Sequence, residues 1–209
     1  MAPKSVKHAL VTGPEPFDHY KVNRAWETVK LLDGKEIVVG DTTVVVHCHR
    51  VPVSYFELTD LIPRLHRTED FSIAIHCGIA DENCVRLEKE AHKSGYSQPA
   101  NKGPTDVPPN GCVQGYDLPE ILTTSIDVEK LWDSLTDKGW SSTRVSTDAG
   151  LFTCAFQYYI SLAEGEVSYP ARNLPAPKTL FVHIPDAENK PYNNSQTADI
   201  LCEIIKHLA

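Results

Sequence analysis

Apolar bursts of strand length alternate with stretches of helical spacing along most of this chain, which is the pattern of consecutive βαβ units. Val6 to Val11 reads as a first strand, followed by the turn Thr12-Gly13-Pro14-Glu15-Pro16-Phe17. A helix then runs from about Asn23, a residue suited to an N-cap, to Leu32. Thr42 to Val51 is a second strand. Ser54 to Arg67 carries Phe56, Leu58, Leu61, Ile62 and Leu65 close to helical spacing, and leads into a third strand, Phe71 to Cys77. Helical signal returns at Asp127 to Lys138, with Asp127 in the first turn. A short strand at Arg144 to Thr147, a helix at Phe152 to Leu162, a strand at Lys178 to Ile184 and a closing amphipathic helix at Ser195 to Leu208 complete the reading. The expected fold is α/β, a three-layer α/β/α sandwich on a mainly parallel twisted sheet, in a single domain spanning 1–209.

Between Asp81 and Gln98 the pattern weakens. From Pro99 to Pro119 the chain is rich in proline, glycine and asparagine without a steady period. So long a connection reads as a rim or lid, and the expected site lies at the strand carboxyl ends under the segment from Gly95 to Pro119.

Composition refines this picture in two ways. A hydrophobic fraction of 41% and a charged fraction of 23% suit a packed globular chain, and a net charge of -8 without a basic patch argues against nucleic acid. The six cysteines show no C-x-x-C pair and no zinc-like spacing, so free thiols in a reducing, cytoplasmic compartment are expected. The apolar run near the N-terminus is too short for a signal peptide and no stretch is long enough to span a membrane. No cofactor or metal is expected, and His76 and His92 read as core or surface histidines.

The chemistry concentrates at Ser146-Thr147-Asp148-Ala149-Gly150-Leu151-Phe152-Thr153-Cys154, which delivers a cysteine to a helix start after a glycine turn. Backbone N–H groups and the dipole there favour negative charge, which predicts a thiol pKa lowered toward neutrality and donors for an oxyanion. Leu180-Phe181-Val182-His183-Ile184-Pro185 reads as a buried strand ending in histidine. Cys154 and His183 at adjacent strand ends suggest a nucleophile–base dyad.

Four blocks resemble the pyroglutamyl-peptidase I (pyrrolidone-carboxylate peptidase) family of cysteine peptidases. Val11-Thr12-Gly13-Pro14-Glu15-Pro16-Phe17 with Val22-Asn23-Arg24-Ala25-Trp26 resembles the family's V-T-G-F-x-P-F-G and N-x-S-W opening. Val85-Arg86-Leu87-Glu88-Lys89, with His92 and Gly95-Tyr96, resembles its vertebrate-type glutamate block. Ser146 to Cys154 with Tyr158-Tyr159 resembles the nucleophile block, and Phe181 to Pro185 with Lys190-Pro191-Tyr192-Asn193 the histidine block. The resemblance implies an exopeptidase that removes an N-terminal 5-oxoprolyl residue from peptides through an acyl-thioester, with Cys154 as nucleophile, His183 as base and Glu88 orienting the histidine. A neutral lactam calls for apolar walls, for which Phe17 and Phe152 are the aromatic candidates. The resemblance adds Pro14, Val53, Ile79 through its backbone, and Thr153. Tyr158 and Tyr159 read as helix packing.

The chain departs from the family at several positions. Pro14 stands where phenylalanine is usual and Asp18 where glycine is. Asp81 replaces a small residue near the pocket edge, and Ala155 follows the nucleophile in place of Asn or Asp. Gln98 occupies the place of a bacterial arginine assigned to the oxyanion hole, so that donor is unassigned. Two alternatives therefore stand beside the peptidase reading: a homologue that binds N-terminally blocked peptides with little turnover, and a cysteine hydrolase of altered substrate. Oligomeric state is not legible.

Overall fold

In a computed structural model, which describes residues 5–18, 21–80, 83–186 and 190–209, the chain builds a seven-stranded mixed sheet between two layers of helices. The strands are β1 (Ser5–Pro14), β2 (Glu36–Val39), β3 (Thr42–Val51), β4 (Ile73–Ala80), β5 (Val85–Glu88), β8 (Thr143–Ser146) and β9 (Lys178–Pro185), in the order β2-β3-β1-β4-β9-β5-β8. A separate two-stranded ribbon pairs β6 (Glu90–His92) with β7 (Ile121–Thr123). The helices are α1 (Arg24–Val29), α2 (Tyr55–Thr68), α3 (Val128–Asp137), α4 (Thr153–Ala171) and α5 (Asn194–Leu208).

The centre of the sheet is buried on both faces, which is why its strands read as near-continuous apolar runs rather than alternating ones. Odd and even positions of each strand feed different cores. Val11, Ile75, Val182 and Ile184 pack with α1, α3 and α5, while Leu10, Ala74 and Phe181 pack with α2 and α4. The second face carries the candidate site.

Pairing is parallel for β1 with β3, β1 with β4, β4 with β9 and β5 with β8. It is antiparallel for β2 with β3 and for β5 with β9. The sheet is therefore mainly parallel, as the pattern predicts, with two antiparallel pairings. The third strand begins at Ile73 rather than Phe71, and Asp127 is the N-cap of α3, accepting from the Lys130 N–H at 3.0 Å, rather than a first-turn residue. Strands β2, β5, β6 and β7 are absent from the sequence reading because none exceeds four residues and their polar positions hide any period.

The segment from Gly95 to Pro119 is fastened down. Asp106, fully buried, accepts from the N–H groups of Tyr55 at 3.0 Å and Lys102 at 3.2 Å, so the loop caps the first turn of α2. Asn101 donates its N–H to the Val53 carbonyl and its Nδ2 to the Pro16 carbonyl, both at 3.0 Å. Tyr116 Oη donates to buried Glu164 at 2.6 Å. These bonds make the loop a fixed rim of the sheet edge.

Candidate active site

The site forms where the parallel strands end. Pro14 closes β1 beside Val51 of β3, and Gly78 of β4 stands beside His183 of β9. Residues paired in neighbouring strands share a face, so His183 lies on the face that Gly78 opens. A Cβ built on Gly78 would meet Cys154 Sγ at 2.8 Å and the Phe181 ring at 2.9 Å. The thiol thus occupies the space that the missing side chain leaves, next to the histidine.

Local chemistry sets the thiol there. Asp148 accepts the Gly150 N–H at 2.9 Å, Gly150 takes a φ of 77°, and Phe152, in extended conformation, precedes the first turn of α4 without a side-chain cap. The first N–H groups of α4, that of Cys154 among them, therefore have no capping side chain and border the thiol. One turn and two turns further along, Gln157 and Ser161 anchor the helix. Gln157 Nε2 lies 2.7 Å from Thr12 Oγ1 and 2.6 Å from His76 Nδ1, and Ser161 Oγ lies 2.7 Å from both His76 Nε2 and His66 Nε2. This buried run, which His76 joins as a core residue, ties α4 to β1, β4 and α2 and fixes the rotation that presents Cys154. Among the described residues no group of three His, Cys, Asp or Glu could hold a metal ion.

The carboxylate arrives from the opposite direction. Because β5 is antiparallel to β9, Arg86 pairs with His183 and Glu88 with Phe181, all on the α4 face. His183 Nδ1 lies 2.7 Å from Glu88 Oε1. A carboxylate only accepts, so this contact favours the tautomer with the proton on Nδ1 and a lone pair on Nε2. Tyr158 Oη donates to the Glu88 carbonyl at 2.9 Å, holding β5 against α4. The strand leading to Cys154, β8, is not the neighbour of β9. Strand β5 stands between them and brings Glu88 into the gap, which corrects the expectation of adjacent strand ends.

The thiol departs from its expected chemistry. Burial, the largest cause, pushes Cys154 up to about 12, and the charge of Glu88 adds to the rise, while Arg86 and the residue's own backbone N–H pull it down. The helix terminus acts in the predicted direction, but desolvation outweighs it. Cys154 as a residue is only partly buried. The raised value favours the thiol over the thiolate.

Of the expected pocket residues, Phe17 and Phe152 face each other with ring centroids 6.2 Å apart. Tyr55 meets Phe152 edge-on at 5.9 Å. Val53 is buried and Thr153 opens α4. Ile79 packs its side chain on the opposite core, so only its backbone reaches the site edge. Pro14 ends β1 level with this edge. Asp81 lies outside the described residues, Gln98 is exposed, and Ala155 is fully buried in the helix packing.

Sequence reasoning missed Arg86, Tyr158 as a support of β5, and Tyr55. The Tyr55 hydroxyl is buried without a hydrogen-bond partner; burial raises its pKa, as do the charges of Cys154 and Asp106. The alternation of Arg86 with Glu88 along a strand was the available signal.

A thiol at a helix start, an imidazole at a strand end and a buried carboxylate behind the imidazole, on a mixed α/β sheet, define an arrangement of the thiol-hydrolase class. Comparison with known proteins then gives the family. The family model described as pyroglutamyl peptidase matches residues 7–199, and the chain belongs to that family. Mouse pyroglutamyl-peptidase 1 is 32% identical over 97% of this chain and 90% of its own length, and the human protein of the same name 31% over the same shares. The crystal structure of a pyrrolidone carboxyl peptidase from Fervidobacterium islandicum matches with a TM-score of 0.76 at 25% identity, covering 97% of this chain and 98% of that one. Pyroglutamyl peptidase I from Bacillus amyloliquefaciens shares the fold with a TM-score of 0.79 at 21% identity, over 97% and 95%.

Proposed function

We propose that this protein is a cysteine exopeptidase that hydrolyses the bond after an N-terminal pyroglutamyl residue, with Cys154 as nucleophile, His183 as general base and then acid, and Glu88 orienting the imidazole. The observation that carries the assignment is the placement of the Cys154 sulfur over Gly78, beside a histidine whose Nδ1 is 2.7 Å from a fully buried glutamate.

The reaction follows from these groups. His183 Nε2 takes the thiol proton as sulfur bonds to the pyroglutamyl carbonyl carbon, and backbone N–H groups at the start of α4 stabilise the oxyanion, by about 3 kcal/mol per donor. As the intermediate collapses the C–N bond breaks, and the imidazolium gives its proton to the departing amine. Water then adds to the thioester with His183 accepting its proton, which returns to sulfur as the acyl group leaves.

Phe17, Phe152, Val53 and Pro14 form an apolar wall for the lactam ring, with Thr153 and the Ile79 backbone at its edge. No helix among the described residues is long and apolar enough to cross a membrane. Six free thiols suit a reducing cytoplasm.

The test is release of a fluorescent amine from a pyroglutamyl amide under reducing conditions, with prolyl and acetyl-alanyl amides alongside. The pyroglutamyl amide alone is expected to be cleaved. Cys154→Ala should abolish turnover while leaving the circular dichroism spectrum and melting temperature intact, and residual turnover in that variant would refute the assignment.

A further inference from the structure

Arg86 stands inside the candidate triad, not beside it. It pairs directly with His183 across β5 and β9, and its side chain is mostly buried. Its Nε lies 3.1 Å from Glu88 Oε1, the same oxygen that His183 Nδ1 reaches at 2.7 Å, and its Nη2 lies 3.2 Å from that Nδ1. The other carboxylate oxygen, Oε2, is buried and has no hydrogen-bond partner among the described residues.

Two physical consequences follow. A carboxylate with no exposed surface and one unpartnered oxygen is costly to keep ionised without a cation, and the guanidinium, which keeps its charge at all working pH, is that cation. Arg86 also points one donor nitrogen, Nη2, at a ring nitrogen that is itself a donor in the productive tautomer. With Glu88 ionised, the Nδ1 N–H is drawn to Oε1, while Arg86 Nε meets the same oxygen in an ion-pair contact that lacks hydrogen-bond geometry. Protonating Glu88 would free Nδ1 to accept from Nη2, turning Nε2 into a donor that can no longer take the thiol proton. A guanidinium in contact with the carboxylate favours its ionised form, and that form in turn favours the tautomer with Nε2 as acceptor.

The other titratable and charged groups around this cluster, among the described residues, are few. Arg144 of β8 is in register with Arg86 but exposed. Cys154 and Tyr158 come from α4, and the charge of Cys154 in turn raises Tyr55 of α2.

We propose that Arg86 is a positioning residue of the catalytic centre, which secures Glu88 as an anion and thereby extends the working range of the Cys154–His183 pair toward acid pH. The proposal rests on the triad assignment above. In the family resemblance this position carries no assigned role, and the sequence alone presents it as one of several charges beside Glu88.

The experiment compares wild type, Arg86→Gln and Arg86→Lys by two readouts across pH 5 to 10. The first is kcat/KM on a pyroglutamyl amide. The second is the rate of iodoacetamide labelling at Cys154, quantified on the tryptic peptide by mass spectrometry, which needs no substrate turnover. Arg86→Gln should move the acid limb of kcat/KM upward by about one pH unit, costing about tenfold near pH 6 through kcat with KM changed less than about twofold. Cys154 labelling should move upward in the same variant, because one of the influences that lower the thiol pKa is lost. Arg86→Lys should restore most of the acid limb.

Superimposable profiles in wild type and Arg86→Gln would overturn the proposal, and so would a loss of equal size at every pH, which marks packing alone. Wild type inactive on the amide would refute the proposed substrate, while the labelling profiles would still decide the role of Arg86. Should Arg86→Gln fail to fold, Arg86→Lys carries the test, and a lysine variant with its acid limb displaced as far as one pH unit would count against a role set by charge.

Discussion

Gly78 shows how one absent side chain can define a site. A methyl group there would stand 2.8 Å from the Cys154 sulfur and 2.9 Å from the Phe181 ring, and neither neighbour is the loose end of a flexible chain. Gly78→Ala should therefore push the thiol away from His183 and lower kcat by about a hundredfold, with a much smaller change in KM, as expected when reacting groups move by roughly an ångström. Steady-state kinetics of the purified variant, with its melting temperature measured in parallel, check this. At this scale the sequence was legible where a residue's type and its neighbours announced the chemistry. Cys154 after its glycine turn and His183 before its proline are such cases. It was not legible where three-dimensional surroundings decide. The thiol pKa was read from the helix terminus alone, and burial reverses it. Arg86 lies two positions before Glu88 on a strand and so on the same face, yet with β5 unrecognised the charges from Arg86 to Glu90 read as a solvated cluster.

The elements that carry the site are held by side chains from outside them. The first turn of α2 has two caps, Ser54 by its own hydroxyl and Asp106 from the distant loop, and Asp106 also holds the Lys102 N–H. Asp106→Ala leaves buried N–H groups without an acceptor and should lower stability by about 2 kcal/mol, read as a lower denaturant midpoint. It should also make the segment between Gly95 and Pro119 more susceptible to limited proteolysis than in the wild type. Central strands and long helices were evident from hydrophobic pattern, since their periods extend over many residues. Short strands such as β2 and β5 were not, because a four-residue element is defined by the strand it pairs with more than by its own composition. The same limit hid the antiparallel entry of β5. Composition alone gave the loop its length but not its anchors, which are single buried groups such as Asp106 and Tyr116.

Across the whole molecule, the buried run Thr12–His76–Ser161–His66 makes stability depend on pH. Burial, the largest cause in both, lowers His66 from 6.5 to about 4 and His76 from 6.5 to about 3, so both are neutral in the fold. In the unfolded chain they take up protons as pH falls below 6.5, whereas in the folded chain they do so only near their lowered values. The contribution of these two histidines should therefore be constant above pH 7 and fall steadily from pH 6.5 toward pH 4. Denaturant titrations at stepped pH check this, and a stability that held level down to pH 4.5 would contradict it. The order of the strands has a consequence in time as well as in space. Strand β9, the last in the chain, is inserted between β4 and β5, both made long before it. Until β9 emerges from synthesis, the portion of the sheet that ends at β4 and the β5–β8 pair have no strand to join them. The imidazole that β9 carries thus arrives with the strand that closes the sheet, and Cys154 meets His183 only once that strand has docked.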